Sequence, residues 1–420
     1  MINGVFSSAT NPSQSLNFLG QDGGISVARA GATATRVNSS GFIEIVAADT
    51  PRIDYDPVSF SPRGLLVEGS LQNLFFRSQE FDIVAWSKTN CSVSADVETS
   101  PSNDATADKF VESLDVSNTV HRLSQNVSFV SGERFSISVY VKAGERSKIR
   151  FSANNFAVFP AGADFDISAG SVLDAISGDA KIVNAGNGYY RISISAVAAS
   201  TASIPVNIIL LNDAGAFSYI GDGSSGLYLW GAQAEPGFVS SYVPTSDTRP
   251  TRNADNVTID NFASFWRAGS GAALVRAQQS AVSGIRPLIQ FDDATANNII
   301  ALRGNAANPE LYVRTGGVDQ AQIDAGTIAA NTSYRLAGAW AENSCAASLN
   351  SGTPVLDGVA TIPTVTQARL GSDGTNYLNG HIEAIEYYDE RVPNSGLQVV
   401  SSAAGYQSII GSVFRDAIIS

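Results

Sequence analysis

Along most of the chain, apolar and polar side chains alternate with a period of two. In FSISVYVK, beginning at Phe135, the odd positions are apolar and mostly branched and the even ones polar or amphipathic. That pattern marks an antiparallel strand with one buried face. YRISIS from Tyr190 repeats it, and VNIILL from Val206 reads as an apolar strand lying wholly inside. The turn clusters SGER at Ser131, SAGS at Ser168 and NAGNG at Asn184 separate these runs at spacings that suit a sandwich. Helical periodicity is scarce, and short helices are predicted only over residues 79–86, 395–403 and 406–418. No unit of about 20 to 50 residues recurs, so a solenoid or propeller is excluded. The predicted fold class is all-β, with two tandem antiparallel β-sandwiches.

Composition divides the chain. Residues 1–78 are rich in Ser, Gly and Asn, with short strand-like pieces such as GFIEIV from Gly41, and read as an extended N-terminal attachment or collar region. A first sandwich is predicted over residues 79–243. PTSDTRPTRNADN, residues 244–256, has two prolines and no apolar alternation, as an extended linker would. Strands resume over residues 257–404 with AALVRAQ, IRPLIQFDD, ELYVRTG and YRLAGAWA, predicting a second sandwich, and residues 405–420 form a C-terminal tail.

Of the 420 residues, 44% are hydrophobic and only 15% charged, so there is ample material for two cores under a surface of Ser, Thr, Asn and Gly. Lys and Arg number 26 against 39 Asp and Glu, a net charge of −13 that repels polyanions and argues against a nucleic-acid partner. Anionic sugars would meet the same repulsion unless neutral hydrogen bonds, ring stacking or a bridging divalent cation carried the contact. Cys91 and Cys345 fall in different predicted sandwiches, which excludes a disulfide framework. Met1-Ile2-Asn3-Gly4 has no basic n-region or apolar run, and no stretch approaches the roughly 20 apolar residues of a membrane helix. The expectation is a protein made in a cytoplasm, with no membrane insertion.

GDGSSG, from Gly221 to Gly226, matches the dinucleotide-loop pattern G-x-G-x-x-G, but LYLW follows it and reads as a strand. Without a helix to meet a pyrophosphate, the glycines predict a hairpin turn, where glycine supplies positive φ. Alternation past the turn puts Leu227 and Leu229 on one face and Tyr228 and Trp230 on the other. Tyr228 is then a core aromatic or a ring lining a concave sugar-binding face.

Catalytic constellations are weak. Asp292 with Asp293, Glu383 with Glu386 on opposite strand faces, and Asp164 with Asp166 are the acidic pairs available for glycoside cleavage, and all are expected as solvated edge or turn carboxylates. His121 and His381 are the two histidines, predicted at strand ends or the surface, and neither lies near a G-x-S-x-G turn. A lyase base formed by His121 with a neighbouring Tyr stays open. No catalytic residue and no cofactor is assigned.

Residues 51–90, PRIDYDPVSFSPRGLLVEGSLQNLFFRSQEFDIVAWSKTN, resemble a segment of virion fibre, spike and tail proteins of tailed bacteriophages and related gene transfer agents. The resemblance lies in Arg63 to Glu68, then Asn73-Leu74, then Phe81 and Trp86. GNGYYRISIS (186–195) and GDGSSGLYLWGAQAEPGFVSSYVPT (221–245) resemble the end of the carbohydrate-binding-module-like jelly roll that usually follows. From Ala272 to about Leu397 the pattern is similar to concanavalin A-like (laminin G-like) jelly rolls, through YRLAGAWA, ASLNSGTPV and RLGSDGTNYLNGHIEAIEYYDERV. The resemblance implies jelly-roll domains and a virion location, with residues 1–78 attaching to other virion proteins and a homotrimer by analogy. It implies host cell-surface polysaccharide as partner, with Tyr189, Tyr228, Trp230 and Trp340 as carbohydrate-binding residues. Calcium is an open addition by the same analogy, with the loop from Gly371 to Gly374 and Asp292-Asp293 as donors, although no D-x-[DN]-x-[DN]-G loop occurs. Three functions are carried forward: a non-catalytic glycan-binding fibre or spike, a virion polysaccharide depolymerase, and a decoration protein without ligand.

Overall fold

The computed structural model describes residues 12–18, 24–31 and 33–402. Four large antiparallel sheets pair into two sandwiches. In the first sandwich, one sheet runs in the order Asp179–Gly186, Tyr189–Val197, Arg134–Lys142, Gly226–Pro236, Ala107–Glu112, Cys91–Glu98. The facing sheet runs Ser171–Ser177, Gly162–Asp166, Lys148–Ala153, Ala202–Leu211, Arg122–Phe129, Ser87–Thr89. The predicted alternation is the packing. Phe135, Ile137, Val139 and Val141 point into the shared core, where they meet Val206, Ile208 and Leu210 of the facing sheet. Phe75, Phe81 and Trp86 close one end of this core, with ring centroids 4.8 and 5.0 Å from Trp86. The chain over 79–86 is a series of turns and not the predicted helix, because its two large rings are held by tertiary packing.

The second sandwich takes in more of the chain than the composition suggested. Its seven-stranded sheet includes Ile25–Ala28 beside Asn256–Ile259. Its eight-stranded sheet takes in Ile53–Tyr55 and Pro62–Val67, and Gln14–Asn17 pairs along Gly380–Tyr388. Leu16, Phe18, Ile25, Ile53, Leu65 and Val67 lie in the same core as Trp340, Phe291 and Ile385. Gln14–Asn17, Ile25–Ala28, Ile53–Tyr55 and Pro62–Val67 are therefore not an extended region ahead of two sandwiches but strands of the second one, while Ala34–Val37 and Ile43–Val46 pair as a separate hairpin. Each run is too short to build a core, and Gln14–Asn17, Ile25–Ala28 and Pro62–Val67 find partners in Gly380–Tyr388 or Asn256–Ile259, more than 200 positions away in sequence. A helix at Asn394–Val400 covers the outer face of the eight-stranded sheet, burying Leu397 and Val400 against Ala337, Ala339 and Tyr388. The third predicted helix lies outside the described residues.

The GDGSSG segment is not the predicted hairpin: residues 216–220 make only an isolated bridge between Tyr219 and Thr119, the chain crosses here from the sheet of Ala202–Leu211 to that of Gly226–Pro236, and positive φ occurs only at Gly223 of its three glycines. A Cβ on Gly221 would lie 2.2 Å from the Ser113 carbonyl and one on Gly226 2.1 Å from the Phe110 carbonyl, so those two glycines permit close backbone approach. Asp222 organises the turn by accepting from the backbone N–H and hydroxyl of both Ser224 and Ser225.

Residues 244–256 are extended but locked. Thr251–Arg252 pairs with Leu71–Gln72, and Arg252 and Asp255 enter a buried charge network joining the two sandwiches. Arg29 donates to Asp255 at 2.7 Å, and Arg52 bridges Asp255 and Glu68. Arg252 reaches Glu68 at 2.8 Å. The Ser241 backbone N–H and hydroxyl donate to the two Glu68 oxygens at 2.9 and 2.6 Å. Ser240, one residue earlier, donates its N–H and hydroxyl to Glu235, a buried carboxylate on the last strand of the first sandwich. Three arginines thus face two carboxylates, all nearly inaccessible to solvent, and Glu235 lies buried beside them, held by Gln233 and Ser240. Burial pushes the Glu68 carboxyl up, but Arg252, Arg52 and the Ser241 donors outweigh it and hold it well below the ordinary range. Such a network fixes geometry more than it adds net stability, while removing one member strands the others in a dry interior.

Glu68→Ala is expected to cost about 3 to 5 kcal/mol in denaturant unfolding at neutral pH, because it leaves Arg252 without its carboxylate and Arg52 with Asp255 alone. The pH dependence has a definite sign. With the folded Glu68 pKa depressed, its contribution is complete above the unfolded value of about 4.3 and is lost as pH falls toward the lower folded value. The stability gap between wild type and Glu68→Ala should narrow on acidification below about pH 4.

Candidate functional site

Three of the four aromatics expected to bind sugar are inside. Tyr189 and Trp340 are 0% exposed and Trp230 is 1% exposed, so none offers a ring face to a ligand, while Tyr228 is half-buried. Alternation placed Tyr228 and Trp230 correctly on the outer face, opposite Leu227 and Leu229. What it missed is that this face is covered. The hairpin of Ala34–Val37 and Ile43–Val46 brings Ile43 onto it, and Tyr242 packs with its ring centroid 4.8 Å from Trp230. Trp230 donates its indole N–H to Thr106 at 3.1 Å. Trp340 belongs to the second core, 5.6 Å from Phe291.

The acidic pairs also have structural partners. Asp292 is fully buried, bound by Gln290 and Arg369, contrary to the solvated edge expected of it, while Asp293 caps a turn through Thr295 and Asn298. Asp164 is bidentate with Arg150, and Asp166 accepts from Ser168. A bulge in the register opposite Ala277 shifts Glu383 outward, so Glu383 and Glu386 share the outer face. There Glu383 pairs with Arg276 and Ser333, and Glu386 accepts from Tyr388 at 2.6 Å. His121 is not at the surface: it is fully buried, its ring centroid 4.5 Å from that of Tyr219 at a tilt of 54°, with Nδ1 2.7 Å from the Asn90 carbonyl. That seals the one His–Tyr pair considered for lyase chemistry away from any polymer.

Among the described residues, no group of three or more His, Cys, Asp and Glu is placed to hold a metal ion. The Asp373 carboxylate in the loop considered for calcium accepts from Thr375 and Asn376. Cys345 is buried, its thiol pushed up by burial to about 11, and Cys91 is half-buried. Among the described residues no helix is long and apolar enough to cross a membrane.

The open concavity lies between the sandwiches and measures about 960 Å³. One wall is the outer face of the first sandwich, where Ser136 and Ser195 hydroxyls meet at 2.8 Å and Arg191 donates to Ser138 and to the Ser240 carbonyl. Asp179, Lys181 and Ser193 continue that wall. The opposite wall comes from the second sandwich, with Arg276, Gln278, Asn379 and His381. The third side is residues 54–66. Asp54 ties this side to the second sandwich and to the hairpin strand Ala34–Val37: Oδ2 lies 2.8 Å from His381 Nε2, and Oδ1 accepts from the Val37 N–H at 2.7 Å. Most charges here are internally matched, Arg63 with Asp56, Arg134 with Asp179 and Arg276 with Glu383. What remains for a ligand is a surface of hydroxyls, amides and guanidinium edges. Sequence reasoning missed this site because its walls come from segments far apart in the chain. The useful signal was the serine run on the polar side of FSISVYVK and YRISIS.

No protein-family model matches the chain, and no curated protein sequence matches it. Among solved structures it is similar to the CBM40 of the Ruminococcus gnavus IT-sialidase bound to α2,3-sialyllactose. That likeness has 16% identity, covers 33% of this chain and 86% of that one, and has a TM-score of 0.27. It is also similar to mouse laminin α1 domains LG4-5, at 10% identity over 79% of this chain and 91% of that one, with a TM-score of 0.23. A third is the LG1-3 region of the laminin α2 chain, at 9% identity over 66% of each chain, with a TM-score of 0.24. Scores this low carry no argument about function, and the sugar named in the first belongs to that protein.

The buried Tyr189 hydroxyl has no hydrogen-bond partner, and burial raises its pKa far above the ordinary phenol value. Tyr189→Phe is therefore expected to unfold at equal or higher denaturant, by up to about 1 kcal/mol, with sugar binding unchanged. Loss of binding in that variant would return Tyr189 to the site.

Proposed function

We propose that the chain is a non-catalytic, glycan-binding component of a bacteriophage-type particle, a fibre or spike subunit that holds host surface polysaccharide in the cleft between its two sandwiches. The observation that carries the reading is the cleft itself: a concavity of about 960 Å³ whose hydroxyl, amide and guanidinium groups suit the hydroxyls of a sugar chain. The resemblance of residues 51–90 and 221–245 to virion proteins supports the particle context. Among the described residues, Gln14–Asn17, Ile25–Ala28, Ile53–Tyr55 and Pro62–Val67, expected in a separate attachment region, are strands of the second sandwich. A homotrimer would present several weak clefts together and raise avidity.

The test is retention of the purified protein on an array of neutral, N-acetylated and uronic-acid oligosaccharides, with assays for new reducing ends and for unsaturated-sugar absorbance. Retention without cleavage is expected; cleavage products would establish the depolymerase, and no retention on any probe would leave the decoration protein. Because most cleft charges are already paired, retention should change less than about twofold between about 50 and 500 mM salt. A steep salt dependence would contradict binding through neutral hydrogen bonds and stacking. Lys181, exposed on the first wall, is expected to contribute, and Lys181→Ala should weaken retention by about threefold without changing the melting midpoint.

A further inference from the structure

Residues 56–61 link Ile53–Tyr55 to Pro62–Val67 and turn over the mouth of the cleft, where Asp56, Pro57, Pro62 and Arg63 form part of its lining. At the tip Phe60 is 53% exposed with φ at +59°, the one aromatic among the described non-glycine residues with positive φ. The left-handed region is sterically unfavourable for a bulky side chain, and a turn chosen for stability alone would carry Gly or Asn there. Surrounding structure imposes the conformation. Asp56 N–H donates to the Ser61 carbonyl at 2.8 Å and Phe60 N–H to the Asp56 carbonyl at 2.9 Å. The Asp56 carboxylate accepts from the Val58 and Ser59 amides and from Arg63. Burial pushes this carboxyl up, but those donors outweigh it and hold it at about 2, so the turn stays anchored through the working pH range.

The ring has a prepared seat. Its Cε1 and Cδ1 lie 2.5 and 2.9 Å from where a Cβ on Gly41 would stand, so the ring rests against a glycine that leaves room for it. The loop is braced from the other side as well, with the Pro57 carbonyl 2.6 Å from the Cβ position of Gly186 on the first sandwich. Phe60 stands just outside the cleft lining, a half-exposed ring held in a costly backbone conformation on the turn whose Asp56, Pro57, Pro62 and Arg63 do line it, and such held strain clusters where ligands dock.

We propose that Phe60, at the rim on the turn that carries the lining residues Asp56, Pro57, Pro62 and Arg63, is an aromatic platform that stacks on the apolar face of a pyranose ring, while Arg63 and Asn184 of the lining meet the sugar hydroxyls. This rests on the glycan-binding reading and adds the subsite that selects a hexose ring over other polar ligands.

The test uses the full chain and the array oligosaccharide that retains it best. Phe60→Gly and Phe60→Asn both suit the left-handed backbone and should melt at or above the wild-type midpoint, yet lose about fivefold to tenfold in affinity, while Phe60→Trp keeps it. If both Phe60 variants bind within about twofold of wild type while Lys181→Ala is weakened, the platform is overturned and the cleft stands. If wild type is retained by no oligosaccharide, the function reading itself fails and the platform with it.

Discussion

Five charged side chains buried at one junction set the shape of this protein. Arg29, Arg52 and Arg252 face Glu68 and Asp255 with almost no access to water, and Ser241 and Ser240 carry the contact from Glu68 to Glu235 of the first sandwich. Buried charges tolerate little freedom, because each must keep its partner within hydrogen-bond reach or bear the full cost of desolvation. The network draws members from the N-terminal strands, from the end of the first sandwich and from the connecting segment 244–256. It therefore fixes the two sandwiches against each other, and the cleft between them is a consequence of that fixed angle. Asp54 adds a tie at the cleft wall through His381 and the Val37 amide.

The residues that carry the virion-protein resemblance acquire a physical reading from this junction. Glu68 ends the recognised Arg-Gly-Leu-Leu-Val-Glu stretch, Arg52 lies upstream in the same segment, and both are network members. Asn73 donates to the Ala232 and Val243 carbonyls and accepts from the Ala234 and Phe75 amides, pinning the connection to the last strand of the first sandwich. Phe81 and Trp86 plug that sandwich's core. The most recognisable part of the sequence is thus a joint, while the ligand-facing walls are built of serines and charged residues that no motif marks.

Period-two alternation was enough to read the long central strands of the first sandwich, because Arg134–Lys142, Tyr189–Val197 and Ala202–Leu211 each carry enough apolar residues to declare a buried face. It was not enough for the N-terminal strands of the second. QSLN and ISVA are too short to declare a sheet, and their partners, Gly380–Tyr388 and Asn256–Ile259, lie more than 200 residues away. The same limit explains the aromatic residues. Tyr228 and Trp230 were rightly placed away from the inter-sheet core, but the hairpin that covers them comes from residues 34–46, read as part of a separate region. A covered outer face and an open one have identical local patterns. Candidate carboxylates failed for a related reason, since Asp292 and Glu383 are satisfied by arginines that only the sheet register brings beside them.

The central claim is that residues 244–256, linker-like in composition, are a rigid part of the joint. Native-state amide hydrogen exchange measures this directly. Amides around Glu68, Ser241 and Asp255 should exchange as slowly as those of the central strands Arg134–Lys142 and Ser270–Gln279. Rapid exchange across residues 244–256 while both sandwich cores remain protected would show two units on a loose tether, with neither a fixed cleft nor a site in it.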